Sequence, residues 1–146
     1  MIRNTSIWIL SFILLSFQIS ANETDKTAAC AGVVMGDGAV GLMDQDEGNF
    51  DESFKLAFNA YYGHAFGADV SNEDAALHEQ IMASNFDMIY LTGEWTFEVY
   101  NEVLRCYRFL GIKILENSKS IKKNAKIIKK YEDKYKERVR RLVNAQ

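Results

Sequence analysis

The chain has 146 residues, of which 48% are hydrophobic, 12% aromatic and 25% charged, and this composition is typical of a globular protein. It excludes a disordered, collagen-like or disulfide-dense chain, and the length is that of a single domain. The chain contains no proline, so no residue interrupts a helix through a ring clash or a missing N–H. Long helices are therefore expected, and the predicted fold class is all-α.

The first 21 residues are predicted to be a secretory signal peptide. Arg3 supplies the positive charge, residues 7–15 supply the apolar region, and Ser20 or Ala21 is the small residue before the cut. The apolar run is shorter than the roughly 20 residues that cross a bilayer, so an uncleaved membrane anchor is the less favoured alternative. The mature chain, residues 22–146, is predicted to be periplasmic or secreted.

The mature chain holds two cysteines, Cys30 and Cys106. Thiols in an oxidising compartment tend to pair, which predicts one disulfide across a separation of 76 residues. A redox-active pair is less favoured, because the Cys-x-x-Cys spacing that lowers a thiol pKa is absent. The expected role of the disulfide is structural, tying the first mature segment to a distant helix.

Charge divides along the mature chain. Residues 22–102 hold 16 acidic residues against Lys26 and Lys55, whereas residues 103–146 hold 14 basic residues against four acidic ones. Because the two parts attract each other, the first interpretation is that the basic segment lies against the acidic part and is partly neutralised there. The alternative is a basic arm that binds a negatively charged partner.

Small and apolar residues dominate positions 28–43, which are predicted to form a short, tightly packed helix. Gly32 and Gly36 lie four positions apart, so they can let another backbone approach closely on one face. The spacing Gly36-x-Gly38-x-x-Gly41 also matches a phosphate-binding loop. The strand–helix–strand units that such a loop needs are missing, so packing is the expected role.

Three further helices are predicted before residue 118. The first spans about 51–62, with Gly63 and Gly67 in the turn after it, and places an aromatic stripe in the core: Phe50, Phe54, Phe58 and Tyr61. The second begins at the capping residue Ser71 and is expected to bury Leu77, Ile81, Ser84, Met88 and Leu91. The third follows Thr92-Gly93 and is expected to bury Trp95, Val99, Val103, Cys106 and Leu110.

The last segment, residues 118–146, has an apolar seam with a seven-residue period and basic residues at most other positions, which predicts a long basic amphipathic helix. Such a helix packs on a bundle, pairs with another copy, or lies on an anionic membrane, and the sequence leaves these open. The residues predicted to bind a partner are Lys122, Lys123, Lys126, Lys129, Lys130, Lys134, Arg138 and Arg141. The predicted fold is a small disulfide-tied bundle of four or five helices in one domain, residues 22–146, and whether residues 118–146 protrude from it is left open.

Candidate metal ligands are few. His64 and His78 have no partner at ligand spacing, and neither a Cys–His cluster nor an H-E-x-x-H motif is present. Asp44 and Asp46 belong to an acidic stretch whose spacing departs from the EF-hand. These four residues are the minor candidates for a metal site. A packing role for the histidines and a solvated loop for the acids are favoured, and no cofactor is predicted.

The sequence lacks the signatures of common enzymes and identifies no family. Neither the G-x-S-x-G motif of a serine hydrolase nor the C-x-x-C-H motif of haem attachment occurs. The predicted function is that of an exported, non-enzymatic binding protein, whose basic C-terminal helix and acidic N-terminal part act toward a protein partner, a second copy or an anionic membrane surface, and not toward nucleic acid. The alternatives are a carrier of a small ligand or metal ion, with residues 61–64 as a pocket wall, and a small hydrolase whose site assembles only in three dimensions.

Overall fold

The computed structural model is all-helical. It describes the backbone of residues 5–146 and the side chains of residues 23–146, so the predicted signal peptide, residues 1–21, lies outside the part that is described in full. Within the described residues there is no strand, and the five helices are α1 (Thr5–Met43), α2 (Glu47–Gly67), α3 (Asn72–Tyr90), α4 (Phe97–Glu116) and α5 (Ser118–Asn144). None of these helices, over the described residues, has a stretch long and apolar enough to cross a membrane.

Helix α1 lies at the centre, and glycines line it where other helices cross. A Cβ on Gly32 would stand 2.2 Å from the carbonyl oxygen of Met82, and one on Gly36 would stand 2.9 Å from that of Phe86. The backbones of α1 and α3 therefore meet at this glycine pair, which confirms the predicted close approach. Gly38 faces α2 in the same way, so the G-x-G-x-x-G spacing reflects packing inside a helix rather than a phosphate loop.

The predicted disulfide is present and joins the central helix to α4. Cys30 and Cys106 are bonded and buried, and their Cα atoms lie 4.9 Å apart. Val103 and Leu110 are buried on the same side of α4, as their spacing predicts. The bundle is thus held both by this apolar side of α4 and by a covalent link to α1.

Helix α2 carries the predicted aromatic stripe into the core, but it is longer than predicted. Gly63 and Gly67 belong to the helix and do not form the turn expected after residue 62. A Cβ on Gly63 would stand 2.4 Å from Cγ1 of Ile121 on α5, so this glycine lets a helix cross. The buried residues of the stripe are Phe50, Phe54, Phe58 and Tyr61.

Helix α3 begins at the predicted cap, where Ser71 accepts a hydrogen bond from the N–H of Asp74, but it buries a different face from the predicted one. Of the predicted set, Leu77 and Met88 are each 51% exposed. The side chains that α3 buries are His78, Met82, Phe86 and Ile89. The prediction was wrong because two apolar rows run along α3, and the glycines of α1 decide which row faces the core.

Candidate functional site

Helix α5 packs on α2 through an aromatic interface. The ring of Tyr131 stacks on that of Tyr62 with centroids 4.6 Å apart, and the ring of Tyr135 lies 5.4 Å from that of Phe58. Ile128, from the seven-residue seam, is buried beside them. The inner side of α5 is therefore part of the core, and only its outer side is available for a partner.

Two basic residues attach the second half of α5 to the acidic part of the chain. Nζ of Lys136 lies 3.1 Å from Oδ1 of Asp51 on α2 and also pairs with Glu132 on its own helix. Nη2 of Arg140 lies 3.7 Å from the same Asp51 oxygen, and its guanidinium stands over the ring of Phe50. Within the described part of the chain, no other ion pair joins α5 to another helix. The expected neutralisation is limited to these two positions.

The outer side of α5 carries a ladder of unpaired cations. Lys129 pairs with Asp133 at 2.8 Å and Arg141 with Glu137 at 2.9 Å, both within α5. Seven further bases are exposed and make no ion pair with any described residue: Lys119, Lys122, Lys123, Lys126, Lys130, Lys134 and Arg138. We call these seven residues the basic ladder. At 1.5 Å per residue the ladder is about 30 Å long.

The basic ladder overlaps the residues that the sequence predicts to bind a partner. Six of the eight predicted residues belong to it, and the other two, Lys129 and Arg141, are exposed but paired. Sequence reasoning missed Lys119, which precedes the seven-residue seam that defined the segment. Its position one turn before Lys122 and Lys123 was the signal that could have included it.

A groove separates α3 from α5, with a volume of about 410 Å³. Met35 of α1 and Phe54 of α2 are buried lining residues that belong to neither wall helix, and they form its floor. Met82 lines the α3 wall, while Tyr135 and the ladder residue Arg138 line the α5 wall. Burial, followed by the nearby carboxylate of Glu79, raises the pKa of Tyr135 to about 12, so its hydroxyl stays protonated. The groove needs four helices to form, and no local pattern in the sequence predicts it.

His78 joins an acid and a hydroxyl in a buried cluster. Its Nε2 lies 3.1 Å from Oδ1 of Asp25 and its Nδ1 lies 3.1 Å from the hydroxyl of Tyr61. Because the carboxylate only accepts, the Nε2–H donates to Asp25. Burial raises the pKa of Tyr61 well above its usual range. Tyr61 is 1% exposed and neither residue lines the groove, so this acid–His–hydroxyl set is a packing cluster.

His64 lies in a second polar cluster. Its Nε2 is 3.0 Å from Oγ1 of Thr24. Burial, followed by the charge of Lys113, lowers its pKa. Lys113 is itself buried between Glu23 and Glu116 and pairs with both. The two predicted candidate histidines thus stand in separate clusters, and their neighbours Tyr61 and Tyr62 belong to the core rather than to a pocket wall.

The acidic candidates lie at a loop and make no cage. Asp44 is exposed, and Asp46 caps α2 by accepting a hydrogen bond from the N–H of Asn49 at 3.0 Å. Over the described residues, no group of three or more His, Cys, Asp or Glu side chains could hold a metal ion. The four candidate ligands, Asp44, Asp46, His64 and His78, are therefore not brought together.

A third polar cluster was missed from the sequence. The hydroxyl of Tyr107 on α4 donates to Oδ2 of Asp37 on α1 at 2.6 Å and lies 2.6 Å from Oγ of Ser53 on α2. Burial raises the pKa of Asp37, and the hydrogen bond from Tyr107 lowers it by less. The signal that could have found it is the single acid within the small and apolar segment 28–43.

Comparison of the chain with protein-family models, with curated proteins and with solved structures finds no match. Of the features above, the basic ladder and the groove are open to a partner. In the polar clusters His78 and Lys113 are buried, whereas the carboxylates paired with them, Asp25, Glu23 and Glu116, are about half exposed at the surface of the bundle.

Proposed function

We propose that the protein is a non-enzymatic binding protein that docks on an anionic membrane surface through the basic ladder. The observation that carries the proposal is the separation of the two sides of α5. Its aromatic inner side packs on α2, and its outer side presents seven exposed cations without an ion pair among the described residues. Because α5 is already folded and packed on α2, its outer cations are in position before a partner binds.

Crowding of like charges supports an anionic partner. Cations three or four positions apart on a helix repel each other and destabilise it by about 0.2–0.5 kcal/mol per pair. The ladder repeats that spacing from Lys119 to Arg138. Only Lys136 and Arg140 are neutralised by another helix, so an external anion is what relieves the repulsion in the ladder.

The chemistry of the ladder favours a lipid surface over a protein. Six of its seven members are lysines and none is aromatic. Lysine is depleted in protein–protein interfaces, where arginine, tyrosine and tryptophan dominate the binding energy. A lysine is a compact, hydrated charge, and each one near an anionic bilayer contributes about 1 kcal/mol. Because the apolar seam is occupied by α2, attachment is electrostatic and at the surface.

Vesicle sedimentation tests the proposal. Protein is mixed with vesicles of phosphatidylcholine alone or with added phosphatidylglycerol, at low and at high salt. Binding is expected only to the vesicles that contain phosphatidylglycerol, and it should weaken as salt rises because exposed charges are screened. Lys126→Glu removes one attraction and adds one repulsion, so it is expected to weaken binding roughly 30-fold.

Lys55→Glu is the matched control. Lys55 is also an exposed lysine within a helix, but it lies on α2 outside the ladder, and its replacement changes the total charge equally. Equal losses for Lys126→Glu and Lys55→Glu would contradict a ladder that acts locally. Absence of binding to phosphatidylglycerol vesicles at low salt would overturn the membrane proposal. The sequence prediction would then be tested by searching for a salt-sensitive complex with an acidic protein.

Export is part of the proposal. The Cys30–Cys106 disulfide is compatible with folding in an oxidising compartment, and the sequence predicts cleavage after Ser20 or Ala21. The mass of the protein recovered from cells is expected to correspond to a chain without its first 20 or 21 residues. A chain that keeps its first residues, or that has free thiols, would contradict export.

The groove favours a second candidate function, a carrier of a small apolar ligand. Its volume lies within the range of about 300–1,000 Å³ that is usual for small-molecule sites. Met35 and Met82 supply adaptable apolar walls, and the charged lining residues, Glu79, Asp87 and Arg138, carry both signs. Saturable binding of an uncharged apolar fluorescent probe is the expected result.

Two tryptophan substitutions on α3 test the carrier function. Ala83 lines the groove, so Ala83→Trp is expected to fill it and to weaken binding of the probe at least about tenfold. Ser84 is exposed and does not line the groove, so Ser84→Trp is the control. Absence of saturable binding, or an equal loss for both variants, would contradict this function.

A further inference from the structure

Helix α4 carries a stripe with four exposed apolar or aromatic side chains. Phe97, Tyr100, Ile112 and Leu115 are 77%, 52%, 54% and 79% exposed. The middle of the stripe holds Leu104, which is half-buried, and the exposed base Arg108. The successive positions differ by three or four residues, so they share one side of the helix, opposite to the side that holds the disulfide.

The area of the stripe matches that of patches that often have a function. At roughly 200 Å² for a large side chain, the four exposed fractions amount to on the order of 500 Å² per copy. The largest apolar patch of a typical monomer is about 300–600 Å² and is often a functional surface. A standard interface buries about 800 Å² on each partner. The stripe therefore supplies more than half of the area that one partner contributes.

We propose that the stripe is the contact between two copies of this chain, paired through antiparallel α4 helices. The positions 97, 100, 104, 108, 112 and 115 are separated by 3, 4, 4, 4 and 3 residues, a spacing that is the same in both directions. Two antiparallel copies therefore place Phe97 of one opposite Leu115 of the other, and Tyr100 opposite Ile112. A two-fold interface requires such a self-complementary surface.

Two features of α4 support the antiparallel direction. Parallel pairing would place Arg108 of one copy opposite Arg108 of the other, whereas antiparallel pairing places it opposite Leu104. Opposed helix dipoles add to the same preference.

Arg108 can be accommodated at the middle of the contact. In the antiparallel register it comes opposite Leu104 of the second copy. Its aliphatic stem covers that leucine while the guanidinium reaches the solvated edge. The dimer is independent of membrane docking, because the basic ladder lies on a different helix.

The mass of the protein in solution tests the dimer. Sedimentation of the protein as recovered from cells is expected to show a mass twice that of one chain, falling to one chain on dilution. Phe97→Lys and Leu115→Glu are each expected to raise the dimer dissociation constant at least about tenfold. Both residues are more than three-quarters exposed, so the helical circular-dichroism signal should not fall, and the melting temperature should match that of the wild type at dilutions where the wild type is monomeric.

A mixture of the two variants tests the direction of pairing. In an antiparallel heterodimer, the lysine introduced at position 97 of one chain meets the glutamate introduced at position 115 of the other, while the unchanged Phe97 and Leu115 still meet at the opposite end. The mixture of Phe97→Lys and Leu115→Glu is therefore expected to dimerise at concentrations where either variant alone is monomeric. Leu77→Lys, a change at an exposed apolar residue of α3, should leave the wild-type mass unchanged. A monomeric wild type, or a mixture that stays monomeric, would overturn the proposal.

Discussion

Gly32→Ala is expected to destabilise the protein because it adds a methyl group where α1 and α3 touch. The new Cβ would stand 2.2 Å from the carbonyl oxygen of Met82 and 2.9 Å from Cβ of Asn85. The oxygen belongs to the backbone, so it cannot turn away as the end of a flexible side chain can. The two helices must therefore separate by about 1 Å or more to reach ordinary van der Waals contact.

The size of the effect follows from two opposing contributions. Overpacking of a filled interior typically costs about 1–3 kcal/mol, and collision with backbone places Gly32→Ala near the upper end. Replacement of an interior helical glycine by alanine stabilises the helix by about 1 kcal/mol. The expected net loss is about 2 kcal/mol in the free energy of unfolding, or a fall of roughly 6–10 °C in the melting temperature.

Gly111→Ala is the matched control for this substitution. A Cβ on Gly111 would meet nothing within 4 Å, so the same change within α4 is expected to stabilise the protein by about 0.5–1 kcal/mol. Both variants are compared by thermal and urea unfolding, followed by circular dichroism at low protein concentration. If Gly32→Ala raised the melting temperature as Gly111→Ala does, the close approach of α1 and α3 would be refuted.

Four further predictions follow from the core and its polar clusters. Reduction of the Cys30–Cys106 disulfide is expected to lower the free energy of unfolding by about 4 kcal/mol, because a loop of 76 residues is freed, as measured by urea titration with and without reductant. Burial holds the pKa of Asp37 in the folded protein above its value in the unfolded chain. The free energy of unfolding therefore falls as pH rises from the unfolded pKa through the folded pKa. Asp37→Asn is therefore expected to raise the urea midpoint at neutral pH and to lose this advantage in acid. Burial holds the pKa of His64 below 6.5, so the unfolded chain binds the proton first as pH falls; the resulting loss of stability on acidification should be smaller in His64→Gln. Deletion of residues 118–146 uncovers Phe58 and Tyr62, and is expected to abolish the cooperative melting transition.

The features that depend only on residue type and short-range spacing were predicted correctly from the sequence. The aromatic stripe of α2 repeats at helical spacing over about three turns, and no other face of that helix offers a comparable row. Ser71 lies three residues before Asp74, and its hydroxyl caps α3 by that spacing alone. Cys30 and Cys106 were the only two thiols, so their pairing needed no knowledge of the fold.

Features that depend on contact between helices were not predictable in this way. Which row of α3 is buried depends on the positions of Gly32 and Gly36 on another helix. The Asp37–Tyr107 hydrogen bond joins residues 70 positions apart. Gly63 is typical of a turn in the sequence alone, and its role in the helix is explained only by its contact with Ile121 of α5. In each case the partner that decides the outcome lies outside the window that a periodic pattern covers.

The charge on α5 shows how packing decides what remains for function. The acidic part of the chain could have drawn in more of the basic segment, since it holds 16 acids against two bases. The aromatic pairs Tyr62–Tyr131 and Phe58–Tyr135 instead fix the rotation of α5 on α2, and only Lys136 and Arg140 then reach Asp51. Buried aromatic contacts contribute more to stability than exposed ion pairs, which contribute about 0–1 kcal/mol each. The hydrophobic seam therefore sets the rotation of α5 on α2, and the basic ladder remains exposed to solvent. The same seam that makes α5 part of the core is therefore the reason that its outer cations remain exposed to solvent.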